Sequence, residues 1–322
     1  MRARRALMRV AARRHADETP RRMPRVYKHC RRRATGNQAS YVADACVARL
    51  AFQPPPCSYT LGACQNVHTM SGERISTRLF TPLGQALCPT KHRWIARREY
   101  EDPRMLFLFS HGNADDLNTC AVYTQWLADT FDANVLSYDY KDYGNSEPGT
   151  TTERSLNEVI EAVYNLAAVR MAVPTSCLVF FGKLVGTGPT VFLASERLGC
   201  AGVVLVSPLA SGARTLCDTR KVPRAVMQVL DRLFMPSVQR VAAVVVPVCI
   251  VHGTEDTLIH VDNARELHAK CGWQAQYPAL FVRAGQNDIE SRRKDEFVTH
   301  IKQFLLFTQR RIADSSLPGG ST

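Results

Sequence analysis

The sequence lacks any apolar run long enough to cross a membrane as a helix. Its longest such run, residues 241–251, is interrupted by Pro247. A spanning helix needs about 20 apolar residues in succession. The first residues are too rich in arginine to form the apolar core of a secretory leader. We therefore expect a protein without a transmembrane helix.

Repeated cysteine spacings are also missing. The eleven cysteines are scattered, their number is odd, and no Cys-x-x-Cys pair occurs. This pattern argues against a disulfide framework and favours a reduced intracellular compartment. We predict a cytoplasmic protein with no metal site and no cofactor.

Charge imbalance is confined to one end of the chain. Residues 1–34 hold thirteen Lys or Arg and only two acidic residues. The rest of the chain is close to electrically balanced, so this arm accounts for almost all of the net charge of +12. Such an arm can bind anionic lipid, act as a mitochondrial transit peptide, or stay solvated and disordered. Cys30 and Cys46 beside it leave S-acylation open as a second membrane signal. Nucleic acid is the least favoured partner, because the arm has no aromatic residues interleaved with its cations and no recognised nucleic-acid-binding motif follows it.

The rest of the chain alternates short apolar runs with longer helical patterns. Continuous apolar strands between helices are typical of a parallel sheet that is buried on both faces. We predict an α/β fold with a doubly wound, mostly parallel sheet. The predicted domains are a disordered arm (1–48), a folded domain (49–310) and a disordered tail (311–322). The predicted strands are 105–109, 134–138, 177–181, 203–206, 244–251 and 279–282, and the predicted helices are 119–130, 153–170, 189–198, 222–234, 261–270 and 291–307.

The segments after the predicted strands carry the chemistry, because ligands of such sheets bind at the carboxyl ends of the strands. In chain order they read Ser-His-Gly-Asn-Ala-Asp (110–115), Asp-Tyr-Lys-Asp-Tyr-Gly (139–144), Gly-Lys-Leu-Val-Gly (182–186), Ser-Pro-Leu (207–209), His-Gly-Thr-Glu-Asp (252–256) and Gly-Gln-Asn-Asp (285–288). Together they resemble the α/β-hydrolase fold. Within it, and with Leu-Ala-Phe-Gln-Pro-Pro (50–55), they resemble the bud-emergence-like branch that includes the α/β-hydrolase domain-containing protein 17 depalmitoylases. The resemblance covers residues 49–307.

This resemblance assigns three catalytic positions, two of which hold unsuitable side chains. The nucleophile position is Leu184, which has no group that can attack a carbonyl carbon. The acid position is Asp256. The base position is Gln286, which cannot shuttle a proton near neutral pH. We expect Leu184 to plug the acyl pocket, with its turn either keeping the strained backbone of a nucleophile elbow or relaxing it.

The resemblance also implies an oxyanion hole made of backbone N–H groups, which tolerate changes of side chain. Its candidates are Val185 with Asn113 or Ala114. Among residues that could replace the missing groups, Thr187 is expected to point elsewhere and His260 only to approach the site. We expect His111 and His252 to be structural. Asp142 stands where the family has glycine, so the shape of its turn is open.

Two functions follow from these residues. The first is a pseudo-hydrolase that binds an acylated protein, a lipid or a protein partner, with peripheral membrane contact through the arm. The second is an active serine hydrolase with a rearranged site, such as a depalmitoylating thioesterase, another esterase or a peptidase-like enzyme. For all of the turn residues except Asp256 and the two backbone donors, a purely structural role in shaping the loops at the sheet edge is the favoured alternative.

Overall fold

The computed structural model of the chain describes residues 51–60, 64–82, 104–196, 199–216 and 221–316. The predicted basic arm, with Cys30 and Cys46, lies outside these residues. In the parts that are described, no helix combines the length and the hydropathy of a membrane-crossing segment.

An eight-stranded sheet forms the centre of the described domain, in the order β1-β2-β4-β3-β5-β6-β7-β8. The first two strands pair antiparallel, and β3 to β8 run parallel to one another. This confirms the predicted α/β-hydrolase architecture. The strands are β1 (Gln65–His68), β2 (Arg74–Phe80), β3 (Leu106–Ser110), β4 (Asn134–Tyr138), β5 (Leu178–Lys183), β6 (Gly202–Val206), β7 (Val248–Gly253) and β8 (Leu280–Val282).

Helices connect the parallel strands and cover both faces of the sheet. The second helix begins with a capping box, in which Thr152 and Ser155 each accept a hydrogen bond from the other's backbone N–H. The α-helices of the described ranges are α1 (Ala121–Phe131), α2 (Glu153–Asn165), α3 (Thr187–Glu196), α4 (Arg224–Leu230), α5 (Ser237–Arg240), α6 (Asp262–Lys270), α7 (Ile289–Arg292) and α8 (Lys294–Ser316).

Two apolar clusters form the core, one on each face of the sheet. Successive strand residues point to opposite faces, so Phe180 belongs to one cluster and Phe181 to the other. On the second face, the Phe181 ring lies 5.8 Å from Phe107 and 5.7 Å from Phe109. The continuous apolar runs of the strands thus fill the core on both faces of the sheet, whereas the polar turns lie at the strand ends.

Several predicted element bounds differ from those observed. The strand predicted from residue 244 begins at Val248, because Pro247 has no N–H for the ladder and a 3₁₀ turn, Val241–Ala243, precedes it. The helix predicted for 153–170 is α-helical to Asn165 and then forms a π-helical turn, Leu166–Arg170.

The disordered tail predicted from residue 311 does not begin there, because α8 continues to Ser316. Ile312 packs against the second core cluster, and the Arg311 guanidinium donates a 2.7 Å hydrogen bond to the Gln274 carbonyl. These two contacts fix the last turns of the helix onto the domain. Residues 317–322 lie outside the described residues.

Candidate active site

The turn from β5 into α3 keeps the backbone of a nucleophile elbow. Leu184 has a φ of 54°, a left-handed conformation that is strained for a residue with a branched side chain. The flanking glycines permit the turn. A Cβ on Gly186 would collide with the Ser110 carbonyl, and one on Gly182 would lie 2.8 Å from the Gly186 oxygen. The turn has therefore kept its strain, which costs about 1–3 kcal/mol in such conformations.

The Leu184 side chain is half-buried and packs against the first core cluster. Its Cδ1 would lie 3.3 Å from a Cβ on Gly112, in the loop after β3. A hydrocarbon side chain thus lies between the elbow and the loop that holds two of the predicted backbone donors. It offers no lone pair and no exchangeable proton at the apex of the turn.

The predicted oxyanion donors lie on these two segments. Among the residues described, no protein group accepts a hydrogen bond from the N–H of Val185, Asn113 or Ala114. The Asn113 side chain instead fixes the segment 51–60, which we call the N-terminal strap. Its Nδ2 donates to the Ala51 carbonyl at 2.9 Å, and its Oδ1 accepts the Gln53 N–H at 3.2 Å. The Asn113 side chain is therefore hydrogen-bonded to the strap, whereas its backbone N–H remains available as a donor.

Asp256 is buried in the loop after β7, and only one of its oxygens is used. Oδ1 accepts the N–H groups of Leu258 at 2.9 Å and Ile259 at 2.8 Å. Oδ2 has no hydrogen-bond partner among the described residues and lies 3.6 Å from Nε2 of His252. Burial raises the pKa of Asp256. The second carboxylate oxygen of Asp256 is therefore buried next to the His252 ring without a hydrogen bond from a described residue.

His252 is a buried hydrogen-bonded residue, as expected from its position at the end of a strand. Its Nε2 donates a 2.7 Å hydrogen bond to the Ile259 carbonyl. Burial lowers the pKa of His252. The His252 ring and the Asp256 carboxylate both form hydrogen bonds with residues 258–259. They therefore fix the loop after β7, which we call the acid loop.

Gln286 lies in the loop after β8, which is hydrogen-bonded to the acid loop. The Glu255 N–H donates to the Ala284 carbonyl at 2.9 Å, and the Thr254 N–H donates to the Val282 carbonyl at 2.8 Å. Gln286 itself is partly exposed. The positions assigned to acid and base therefore stand on adjoining loops.

An ion pair joins the elbow to this same region. Lys183, the residue before Leu184, donates a 2.8 Å hydrogen bond to Glu290 on α7, and both side chains are largely buried. The ammonium also lies 4.3 Å from the centre of the Tyr123 ring. Sequence reasoning missed this pair, since its members are separated by 107 residues and belong to no common motif.

The residues considered as replacements have other partners. The Thr187 hydroxyl donates to the Leu184 carbonyl at 2.6 Å. His260 is exposed and pairs with Asp262 at 3.0 Å. In the described parts of the chain, no three His, Cys, Asp or Glu side chains form a group that could hold a metal ion.

His111 is buried and structural, as expected. Its Nδ1 is 2.8 Å from the Gly112 carbonyl oxygen, and its Nε2 is 3.4 Å from Oδ1 of Asp139. Burial lowers the pKa of His111, but the negative charge of the neighbouring Asp139 carboxylate outweighs it, so the net shift is upward. Asp139 also accepts hydrogen bonds from the Leu117 N–H and from the Tyr59 hydroxyl of the strap.

The turn after β4 keeps a glycine-like backbone at Asp142, where the family has glycine. Asp142 has a φ of 69°, in the left-handed region that glycine favours. Its Oδ1 accepts the Gly149 N–H at 3.1 Å, a local hydrogen bond that helps Asp to adopt this conformation. An aspartate therefore replaces the expected glycine without abolishing the turn.

Comparison with known proteins gives relatives across most of the chain, although no family model matches it. The chain is 32% identical to human α/β hydrolase domain-containing protein 17B over 276 residues, which cover 80% of this chain and 90% of that protein. It is 37% identical to protein 17C of Xenopus laevis over 203 residues, which cover 63% of this chain and 61% of that protein. The chain thus spans about three fifths of the length of the 17C relative.

Solved structures share the architecture at low identity. The Pyrococcus furiosus esterase Pf2001 superposes with a TM-score of 0.58 at 14% identity, covering 80% of this chain and 98% of that one. The enol-lactonase from Burkholderia xenovorans LB400 has a TM-score of 0.51 at 17% identity and covers 75% and 100%. At these identities the two structures establish the fold alone.

Proposed function

Because the chain belongs to the α/β hydrolase domain-containing protein 17 family, we propose that it is a pseudo-hydrolase, which binds an acylated protein, a lipid or a protein partner without cleaving it. The observation that carries this proposal is Leu184 at the apex of an elbow that keeps a φ of 54°. The scaffold that presents a nucleophile is intact, but the side chain it presents is a hydrocarbon.

Binding and cleavage use different parts of this site. The backbone N–H groups of Val185 and Asn113 can donate to a carbonyl or an anion at the start of α3. Attack and proton transfer would need a hydroxyl and an imidazole at the positions of Leu184 and Gln286. Removing the triad from a serine protease lowers turnover by roughly 10⁶, and the acceleration left to the oxyanion hole and binding is about 10³–10⁴ over water. The site therefore supports recognition of an acyl group far better than its hydrolysis.

A fluorophosphonate probe tests the proposal, because it labels only an activated serine. We expect no labelling of the chain, and little labelling of Leu184→Ser, since Gln286 cannot accept the serine proton. The double variant Leu184→Ser with Gln286→His is expected to label and to hydrolyse a short-chain ester. Adding Asp256→Asn to the double variant is the matched control and is expected to reduce that activity. A folded double variant that stays inert would overturn the assignment of these positions.

A second candidate function is an active hydrolase with a rearranged site, and one observation favours it. Ser207 follows β6 beside the elbow, because the register of the sheet pairs Lys183 with Val206. Its hydroxyl is buried without a partner among the described residues, as are Nδ1 of His252 and Oδ2 of Asp256. Ser207 and His252 follow the register partners Val206 and Val251, so a serine, an imidazole and a carboxylate stand in one neighbourhood.

The two candidates are distinguished by Ser207→Ala. Labelling of the parent chain that Ser207→Ala abolishes would replace the pseudo-hydrolase by this second site. Ser237→Ala is the matched control, because the Ser237 hydroxyl is also buried and unpartnered within the described ranges. We expect neither serine to matter, since both are fully enclosed and no ester could reach them.

The basic arm supports a further part of the proposal, which is peripheral contact with a membrane. Thirteen cations in residues 1–34 can release counterions from an anionic surface. Deleting residues 1–34 is expected to remove the salt-sensitive part of binding to anionic vesicles. Unchanged binding at low salt would refute this role of the arm.

A further inference from the structure

A second surface with the chemistry of a membrane contact lies within the described domain. Helix α4 continues for one more turn, because the N–H groups of Asp231 and Leu233 donate to the carbonyls of Met227 and Leu230. This segment, residues 224–233, carries two apolar faces. The inner face is buried through Met227. The outer face presents Val226, Val229 and Leu233, which are 48, 59 and 68% exposed.

The spacing of three and four residues places these exposed side chains on one side of the helix. We call them the outer stripe. The solvent face of a surface helix is normally polar, and grouped exposed apolar side chains mark interaction sites. The outer stripe therefore points to a partner that takes up apolar side chains.

The exposed charges of this segment are of one sign. Arg224 and Arg232 are exposed on the same segment. The single acidic residue between positions 221 and 233 is Asp231, which is buried and held by two hydrogen bonds from Arg214, at 2.9 and 2.7 Å. Helical spacing places Arg232 about a quarter turn from the outer stripe and Arg224 on the side of Met227. The segment therefore exposes apolar groups and cations to solvent but no carboxylate. Arginine suits phosphate, because its planar guanidinium can form two parallel hydrogen bonds to it.

The inner face attaches this segment to the candidate site. Met235 lies against the first turn of α3, because a Cβ on Gly188, four residues after Leu184, would collide with the Met235 Cε. Phe234 meets Phe52 of the N-terminal strap edge to face, with ring centres 5.8 Å apart. The outer stripe is therefore displayed on a segment that packs against the helix that starts at the elbow.

We propose that the outer stripe, with Arg232, docks on an anionic phospholipid surface. The three apolar side chains enter the boundary between headgroups and acyl chains, and the Arg232 guanidinium contacts lipid phosphates. A second copy of this chain fits less well, because a two-fold contact would bring equal positive charges together. A protein partner would need about 800 Å² on each side for a stable complex, which three side chains of a short helix do not supply.

The test compares vesicle binding of the full chain and two triple variants at physiological ionic strength, where the contribution of the arm is weakened by salt. The vesicles are phosphatidylcholine with and without phosphatidylserine. Val226→Ser with Val229→Ser and Leu233→Ser is expected to weaken partitioning about tenfold or more. The matched control is Val122→Ser with Val169→Ser and Leu306→Ser, three side chains that are each more than half exposed on other elements. Equal binding by the two triple variants would overturn the proposal.

The charge component has its own pair of variants. Arg232→Gln is expected to reduce binding to the phosphatidylserine vesicles and to leave the weak binding to pure phosphatidylcholine unchanged. The control is Lys302→Gln, at an exposed cation of α8. Equal losses in the two variants would overturn the assignment of an anionic surface.

Hydrogen exchange on the unmodified chain tests the same surface without depending on how the variants fold. Peptides that cover residues 224–233 are expected to gain protection when anionic vesicles are added. Binding without protection there would assign the contact to the basic arm alone. Protection of these peptides at high protein concentration without lipid would identify a second copy as the partner, and would equally overturn the proposal.

Discussion

The Leu184 side chain lies against Gly112, so that a Cβ added to that glycine would sit 3.3 Å from Leu184 Cδ1. This contact joins the apex of the elbow to the loop after β3, across the space where an acyl carbonyl would bind. In a working site the side chain at the apex must be free to react. Here it is a packed apolar group, and the strain of its φ of 54° is held by the glycines around it.

The first prediction concerns those glycines. Gly186→Ala would place a Cβ against the Ser110 carbonyl and 2.7 Å from the His111 oxygen, so the backbone of β3 or of the elbow must move. We expect a loss of about 3 kcal/mol in the free energy of unfolding, measured by urea denaturation. Gly272→Ala is the control, since its nearest neighbour is the Ala242 oxygen at 3.9 Å, and it is expected to change stability by no more than about 0.5 kcal/mol. Equal effects would mean that the elbow is not closed as described.

The second prediction concerns the buried Asp256. Because burial raises the pKa of Asp256 above its unfolded value, the folded state favours the protonated carboxyl. Its contribution to stability is therefore present below the unfolded pKa and is lost as the pH rises through the folded pKa. Asp256→Asn keeps an Oδ1 for Leu258 and Ile259, and we expect it to raise the melting temperature at pH 7 by about 2–4 °C, the shift that ~1 kcal/mol gives in a domain of this size.

This gain is expected to shrink as the pH is lowered to about 3, where the unfolded carboxyl is itself mostly protonated. Differential scanning calorimetry across this range measures it. Asp262→Asn, at an exposed carboxylate that pairs with His260, is the control and is not expected to stabilise the chain. A loss of stability in Asp256→Asn at pH 7 would instead indicate that the charged form is used, as an active rearranged site requires.

The sequence predicted the parallel part of the fold because the strands β3 to β7 are runs of apolar residues buried on both sides, and β8 is a short apolar run at the sheet edge, where Phe281 is exposed. It missed β1 and β2, where polar residues such as Arg74 and Thr77 interrupt the pattern, although Ser76 and Thr77 are in fact buried. These strands are held by pairing rather than by a hydrophobic run, because β2 pairs with β4 and the edge strand β1 pairs with β2.

The candidate site was predictable in its order along the chain but not in its contacts. Six turn motifs, each after a strand, indicated where Leu184, Asp256 and Gln286 would lie. The orphaned Oδ2 of Asp256 could not be foreseen, because it depends on the distance to His252 rather than on the identity of either residue. Local sequence patterns reveal the periodicity of a helix or a strand. An ion pair between segments that are distant in the sequence produces no such periodicity.

The third prediction concerns the ion pair between Lys183 and Glu290. Both groups are largely buried, so removing one partner leaves the other charge uncompensated. We expect Lys183→Met and Glu290→Gln each to lower the free energy of unfolding by roughly 3 kcal/mol, and the double variant to be less destabilised than the sum of the two. Urea unfolding of all four proteins gives this cycle. The exposed pair Arg154 and Glu158 is the control, for which the coupling is expected to be at most about 0.5 kcal/mol. Additive effects at Lys183 and Glu290 would show that the pair does not connect the elbow to α7.

The last prediction concerns His111, whose ring lies between the Gly112 carbonyl and the Asp139 carboxylate. The pKa of His111 is raised overall, because the negative charge of the neighbouring Asp139 carboxylate outweighs the lowering by burial. The protonated ring therefore stabilises the fold below its unfolded pKa of about 6.5, and this contribution is lost as the pH rises through the folded pKa. His111→Gln can keep one hydrogen bond but carries no charge, so the stability difference between parent and variant is expected to be largest near pH 5.5 and to fall toward pH 9. His260→Gln, at an exposed imidazole, serves as the control for titration elsewhere. A difference that stays constant across this range would mean that the buried ring is neutral and that Asp139 is balanced by its Tyr59 and Leu117 hydrogen bonds alone.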